Sequence, residues 1–96
     1  MSTLFVNAVI VAKHGSIDLV KAELLKLIPP TLNENGCIQY LLHQDQGNPA
    51  QFIFYEEWTN QAELDLHLES NHIKAGQAAM DGHLETININ LLNKIS

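Results

Sequence analysis

QFIFYEEWTNQAELDLHLES, residues 51–70, carries two periodicities back to back. As far as Trp58 the period is two. Phe52, Phe54, Glu56 and Trp58 fall on one face of an extended chain, and Ile53, Tyr55 and Glu57 on the other. From Gln61 the period is helical, with Leu64, His67 and Leu68 in phase. Between the two, Asn60 stands three residues before Glu63, the spacing of a capping box, with Thr59 as the alternative cap. The stretch reads as a strand running into an amphipathic helix, and the junction turns Glu56, Trp58 and His67 toward one space between sheet and helix.

The flanking segments extend this unit in both directions. CIQYLLHQD (37–45) reads as a strand and QGNPA as a turn, so residues 37–58 form a hairpin. LFVNAVIVAK (4–13) is a β-branched strand ended by Gly15. Leu4, Val6, Ala8 and Ile10 lie on one face, and Phe5, Val9 and Val11, interrupted by Asn7, on the other. In SIDLVKAELLKLIPPTLNENG (16–36), Ser16 and Asp18 mark a helix start and the apolar residues recur at helical spacing. Pro29-Pro30 should interrupt that helix by driving the first proline extended, and Gly36 should end a short continuation. Ser70 can restart the second helix for HIKAGQAAM (72–80), and LETININLL (84–92) is a last alternating strand. The order βαββαβ is an α+β, ferredoxin-like pattern, a four-stranded antiparallel sheet with helices on one face, as a single domain over 1–96. Helices on one face leave the second apolar face of the first strand uncovered, so a homodimer joined sheet to sheet is expected.

Bulk composition narrows the function. A net charge of -6 excludes a nucleic-acid backbone as the expected partner. All five basic residues are lysines, so no guanidinium fork is available within one chain. One cysteine, Cys37, cannot form an intrachain disulfide and reads as a small buried residue. No apolar run approaches the ~20 residues of a membrane span, and the N-terminus lacks a secretory pattern, so a cytoplasmic protein is expected.

Three groups of residues carry potential chemistry. Glu56, held inward beside Trp58, is a carboxylate whose desolvation would raise its pKa, and also a residue that could simply hold a strand end. His67, phased toward the sheet, is either a satisfied core histidine or the titratable group of a pocket. Asn7 and Tyr40 could pair within the sheet or dimer, or face a ligand. A dedicated metal site is not expected. His67 and His72 are five apart, on diverging faces of a continuous helix, and no HxH or HxxxH pair exists. No phosphate loop, nucleophile elbow or dinucleotide fingerprint is present.

The chain resembles the antibiotic biosynthesis monooxygenase family, closest to its small bacterial quinol monooxygenase-like branch. The resemblance rests on the first strand with Lys13-His14-Gly15, the prolines of the first helix, Gly36-Cys37 with Tyr40, Glu56-x-Trp58, Leu64-x-x-His67-Leu68 and His72-x-Lys74-Ala75. It implies a dimeric α+β barrel and oxidation of a quinol-like aromatic by dioxygen, without metal or flavin cofactor. In that reading His67 or His72 is the base, with Glu56 and Asn7 as orienting groups and Tyr40, Phe54 and Trp58 as walls. The absence of arginine argues against a polyketide substrate, and Gln77 and His67 at the places of the haem-site pair argue against haem breakdown. Two further readings stand beside it. One is an isomerase or lyase for a small sugar-like metabolite, with or without a phosphate, for which only Lys13 and Lys74 could supply phosphate contacts. The other is a dimer that binds a small ligand without turnover.

Overall fold

A computed structural model describes residues 3–96. Its elements are β1 (Leu4–Ala12), α1 (Ile17–Lys26), α2 (Ile28–Leu32), β2 (Cys37–Gln44), β3 (Gln51–Trp58), α3 (Gln61–Leu68), α4 (Asn71–Met80) and β4 (Leu84–Leu92). The four strands form one sheet in the order β2-β3-β1-β4, antiparallel throughout. This is the ferredoxin-like α+β fold expected from the sequence, with each helical connection split into two short helices.

Strand register sets which side chains meet. Val6, Ala8 and Ile10 of β1 stand opposite Glu56, Phe54 and Phe52 of β3, and on the other side opposite Leu91, Ile89 and Ile87 of β4. These alternate positions make the helix-facing side. Val6, Ile10, Phe52, Phe54 and Trp58 are essentially removed from solvent there, together with Val20 and Leu24 of α1. Each such side chain contributes about 1.5–3 kcal/mol by burial, so this single layer accounts for the core. The helices stop short of the β4 edge. Ile87, Ile89 and Leu91 therefore remain about half exposed although they face the helix side.

The opposite face has no helix over it. Phe5, Val9, Val11, Ile53 and Tyr55 are only partly buried there, with Phe5 and Tyr55 stacked at 6.3 Å between ring centroids. Among the described residues no helix is long and apolar enough to cross a membrane.

Two local expectations are corrected. Pro29 and Pro30 do not turn extended. They occupy the first turn of α2, where Leu27 is the N-cap and a missing backbone N–H leaves no intrahelical bond unmade. Gly36 is not a left-handed helix stop, since among the described residues only Gly15 and Gly82 have positive φ. It is glycine because the Glu63 side chain packs where a Cβ would stand.

Candidate active site

The second helical connection decides the site. Asn60 Oδ1 accepts the Glu63 N–H at 3.0 Å and starts α3 as expected. α3 ends after Leu68, and Ser70 adopts an extended conformation at the head of α4. The Ser70 hydroxyl works in both directions. It accepts the Ile73 N–H at 3.4 Å, capping α4, and donates to the His67 carbonyl at 2.7 Å. This break turns α4 away from the line of α3 and brings the His72 ring back toward His67, 6.0 Å between centroids. The divergence expected for a continuous helix is thereby undone.

Glu34 meets both rings. It lies in the turn between α2 and β2, held by its own N–H on the Thr31 carbonyl at 3.0 Å and by the Cys37 N–H on its carbonyl at 3.1 Å. One carboxylate oxygen, Oε2, is 2.8 Å from His67 Nδ1 and 2.8 Å from His72 Nε2. An ionised carboxylate only accepts, so His67 donates through Nδ1–H and His72 through Nε2–H. That fixes the tautomer of His67, whose Nε2 is left bare and without a protein partner among the described residues. Burial holds the His67 imidazolium below its ordinary pKa, against the opposing pull of Glu34. His67 is thus a buried imidazole whose burial favours the neutral form and whose orientation is set by Glu34.

His67 lies against the aromatic side chains, 4.6 Å from the Trp58 ring and edge-on to Tyr40 at 5.4 Å, while Tyr40 stacks on Phe54 at 4.5 Å. Trp58 Nε1–H donates to Glu56 Oε1 at 2.9 Å. Burial pushes the Glu56 carboxyl up to about 7; the Trp58 bond opposes the rise and Glu34 adds to it. Burial, with Glu56 nearby, also drives the Tyr40 phenol far above its usual range. The Cys37 thiol is raised to about 11 by burial and by the charges of Glu34 and Glu56, which makes it inert as a nucleophile. The Thr31 hydroxyl, beside Tyr40, falls short of hydrogen-bond geometry and is a buried polar atom with no partner.

A cleft opens between this group and the helices. Its volume is about 70 Å³ as open to the centre of a water molecule, against roughly 10–15 Å³ needed for one water. Tyr40, Glu56 and His67 supply polar groups to its lining; Phe54, Leu27, Met80 and the half-exposed Ile87 and Ile89 form much of the rest. Gln77, which the resemblance placed at a haem-site position but not among the expected site residues, also reaches it.

The expected site residues separate into three sets. Tyr40, Phe54, Glu56 and His67 line the cleft together. Trp58 is not a wall. It is fully buried behind His67 and fixes Glu56 from the rear. His72 lies outside the cleft, on a surface groove with Glu23 and Lys26, and reaches His67 through Glu34. Asn7 stands apart, on the opposite face of the sheet, paired in register with Tyr55 and Asn90. Glu34 is the addition that sequence reading missed. Its contacts span 33 and 38 residues, and a lone acid in an NENG turn gives no local sign of them. Glu34, His67 and His72 each present one ligand atom, all within 4.8 Å of one another, and so could hold a metal ion.

The family model of antibiotic biosynthesis monooxygenases matches residues 3–79. The chain belongs to the antibiotic biosynthesis monooxygenase family. Within its range of relatives, the chain is 31% identical over 75 residues to the probable quinol monooxygenase YgiN of Escherichia coli K12, covering 70% of this chain and 72% of that protein. It is 40% identical over 43 residues to an uncharacterised Synechocystis protein, of which the match spans 29%. A Pseudomonas aeruginosa protein of solved structure superposes with a TM-score of 0.95 at 29% identity, over 100% of this chain and 97% of that one. A solved antibiotic biosynthesis monooxygenase superposes at 0.90 and 30% identity, over 97% and 99%. The matched region contains every residue that lines the cleft except Met80, Ile87 and Ile89, and it also contains Glu34 and His72.

Proposed function

We propose that the protein is a cofactor-independent monooxygenase that oxidises a small quinol-like aromatic with dioxygen, as a cytoplasmic homodimer. The observation that carries this reading is His67: a neutral imidazole with Nδ1–H anchored on Glu34 at 2.8 Å and Nε2 bare beside an apolar cleft. Such a group takes a phenolic proton where water is scarce. The cleft, at about 70 Å³, suits a single small ring better than a polycycle, since pockets for drug-sized ligands run to roughly 300–1,000 Å³.

In the proposed reaction His67 Nε2 accepts the hydroxyl proton of the quinol, leaving an aryloxide. Glu56, with a pKa of about 7, is protonated in a large fraction at neutral pH and donates a hydrogen bond to that oxygen. The aryloxide passes one electron to dioxygen, giving an aryloxyl radical and superoxide. Their combination at a ring carbon, with the proton returned from His67, forms a hydroperoxide. Loss of water leaves one oxygen atom on the ring. Trp58 holds Glu56 in place, and Tyr40 and Phe54 supply the flat wall. Lys13 and Lys74 are absent from the cleft lining, so the cleft favours the aromatic over a phosphorylated sugar. The partly buried Phe5, Val9, Ile53 and Tyr55 of the open sheet face are the surface proposed to meet a second copy. Oxygen uptake by the metal-stripped protein with reduced quinols tests the reaction. Ligand-induced stabilisation without uptake would instead support a binding protein.

A further inference from the structure

We infer that Glu34, His67 and His72 form a binding site for a divalent transition-metal ion of the zinc class, and that the ion, when bound, disables His67 as a base. The binding site itself does not rest on the oxygenase reading; the loss of His67 as a base does. Two imidazoles and one carboxylate are the donor set of open zinc sites, and they suit zinc and cobalt far better than magnesium or calcium. The three donors come from three separate places in the fold: the α2–β2 turn, the last turn of α3 and the first turn of α4. Their spacing is therefore a tertiary arrangement rather than a chance of helical repeat.

The geometry is close to what an ion requires. Glu34 Oε2 is 2.8 Å from each nitrogen, and all three atoms lie within 4.8 Å. A tetrahedral ion with bonds of about 2.0–2.2 Å sets its donors roughly 3.4 Å apart. The carboxylate must withdraw by about half an ångström and the two nitrogens must close by up to about 1.4 Å. His67 is locked by its packing, with 3% of its side chain exposed, whereas Glu34 and His72 are 19% and 22% exposed. Those two make the adjustment. His72 lines a surface groove with Glu23 and Lys26, and Ser70 Oγ, 3.3 Å from His72 Nε2, stands beside the same donor.

The consequence follows from imidazole chemistry. A metal on Nδ1 displaces that proton, and the remaining proton of the neutral ring must sit on Nε2. The atom facing the cleft changes from acceptor to donor.

The test uses the full-length protein, stripped of metal and titrated with Co(II) and then Zn(II). We expect one equivalent of Co(II) per chain with a tetrahedral d–d absorption spectrum, displaced by Zn(II). In Glu34→Gln and in His72→Gln, both on the partly exposed side, affinity should fall at least tenfold, by comparison with the ~10–100-fold lost when even supporting groups are removed. The exposed histidine variants His14→Gln and His43→Gln, and Cys37→Ser, should bind as wild type. Nitrogen-15 spectra should show His67 Nε2 passing from bare to protonated on Zn(II) addition. No stoichiometric binding, binding retained in both Glu34→Gln and His72→Gln, or Nε2 left bare in the loaded protein would each overturn the inference.

Discussion

At the scale of single residues, two titratable groups are pushed in opposite functional directions by the same dry surroundings. His67 is kept neutral and Glu56 is kept partly protonated. With His67 required free and Glu56 required protonated, turnover should rise as pH climbs through the lowered pKa of His67, below 6.5, and fall above about 7. A pH–rate profile of Glu56→Gln should lose the alkaline limb and keep the acid one. The same groups make a stability prediction of unusual sign. Because the folded-state pKa of Glu56 is above its ordinary 4.5, folding takes up a proton between about 4.5 and 7, and stability is lost as pH rises through that window. Glu56→Gln, which keeps the acceptor for Trp58, should therefore stabilise the protein at pH 8 by an order of a few kcal/mol and much less at pH 4.5. Urea unfolding at the two pH values measures it. His67 works the other way, costing stability as pH falls below 6.5. The placement of Glu56 and His67 was legible in the sequence, because strand and helix periods alone turn them to one side. Glu34 was not, since a hydrogen bond across 33 residues leaves no periodic trace.

At the scale of elements, the site depends on a helix that breaks where its sequence permits. Ser70 read as a possible helix restart, and His67 and His72 read as divergent; only the first holds, and it removes the basis of the second. Ser70→Ala deletes the cap of α4 and the tie to α3 together, and should cost about 1 kcal/mol. It should also loosen His72 from Glu34, seen as a change in the His72 ring resonances, whereas a simple loss of helix stability would leave them unmoved. Gly36→Ala forces a Cβ into the Glu63 side chain at the start of α3, and should destabilise by about 1–3 kcal/mol in urea unfolding. The prolines of α2 show the limit of local rules. The extended preference before a proline gives way here because the first turn of a helix is the one place where a proline pair removes no hydrogen bond.

At the scale of the whole molecule, the fold leaves two unfinished surfaces. One is the open sheet face with Phe5, Val9, Ile53 and Tyr55; the other is the β4 edge, where Ile87 and Ile89 wall the cleft while half exposed. The two-sided apolar pattern of β1 announced the first. The second depends on how far the helices reach, which no strand pattern contains. Sedimentation at micromolar concentration should give a dimer rather than 10.7 kDa, and Val9→Glu, a charge placed in the proposed seam, should give the monomer. The chemistry is tested most directly by oxygen uptake of the metal-stripped protein with a panel of reduced single-ring and two-ring quinols, run beside His67→Ala. Uptake above autoxidation, lost in His67→Ala, is the expected result. Wild-type uptake no faster than autoxidation across the panel, or uptake undiminished in His67→Ala, would contradict a base-initiated oxygenase at this cleft.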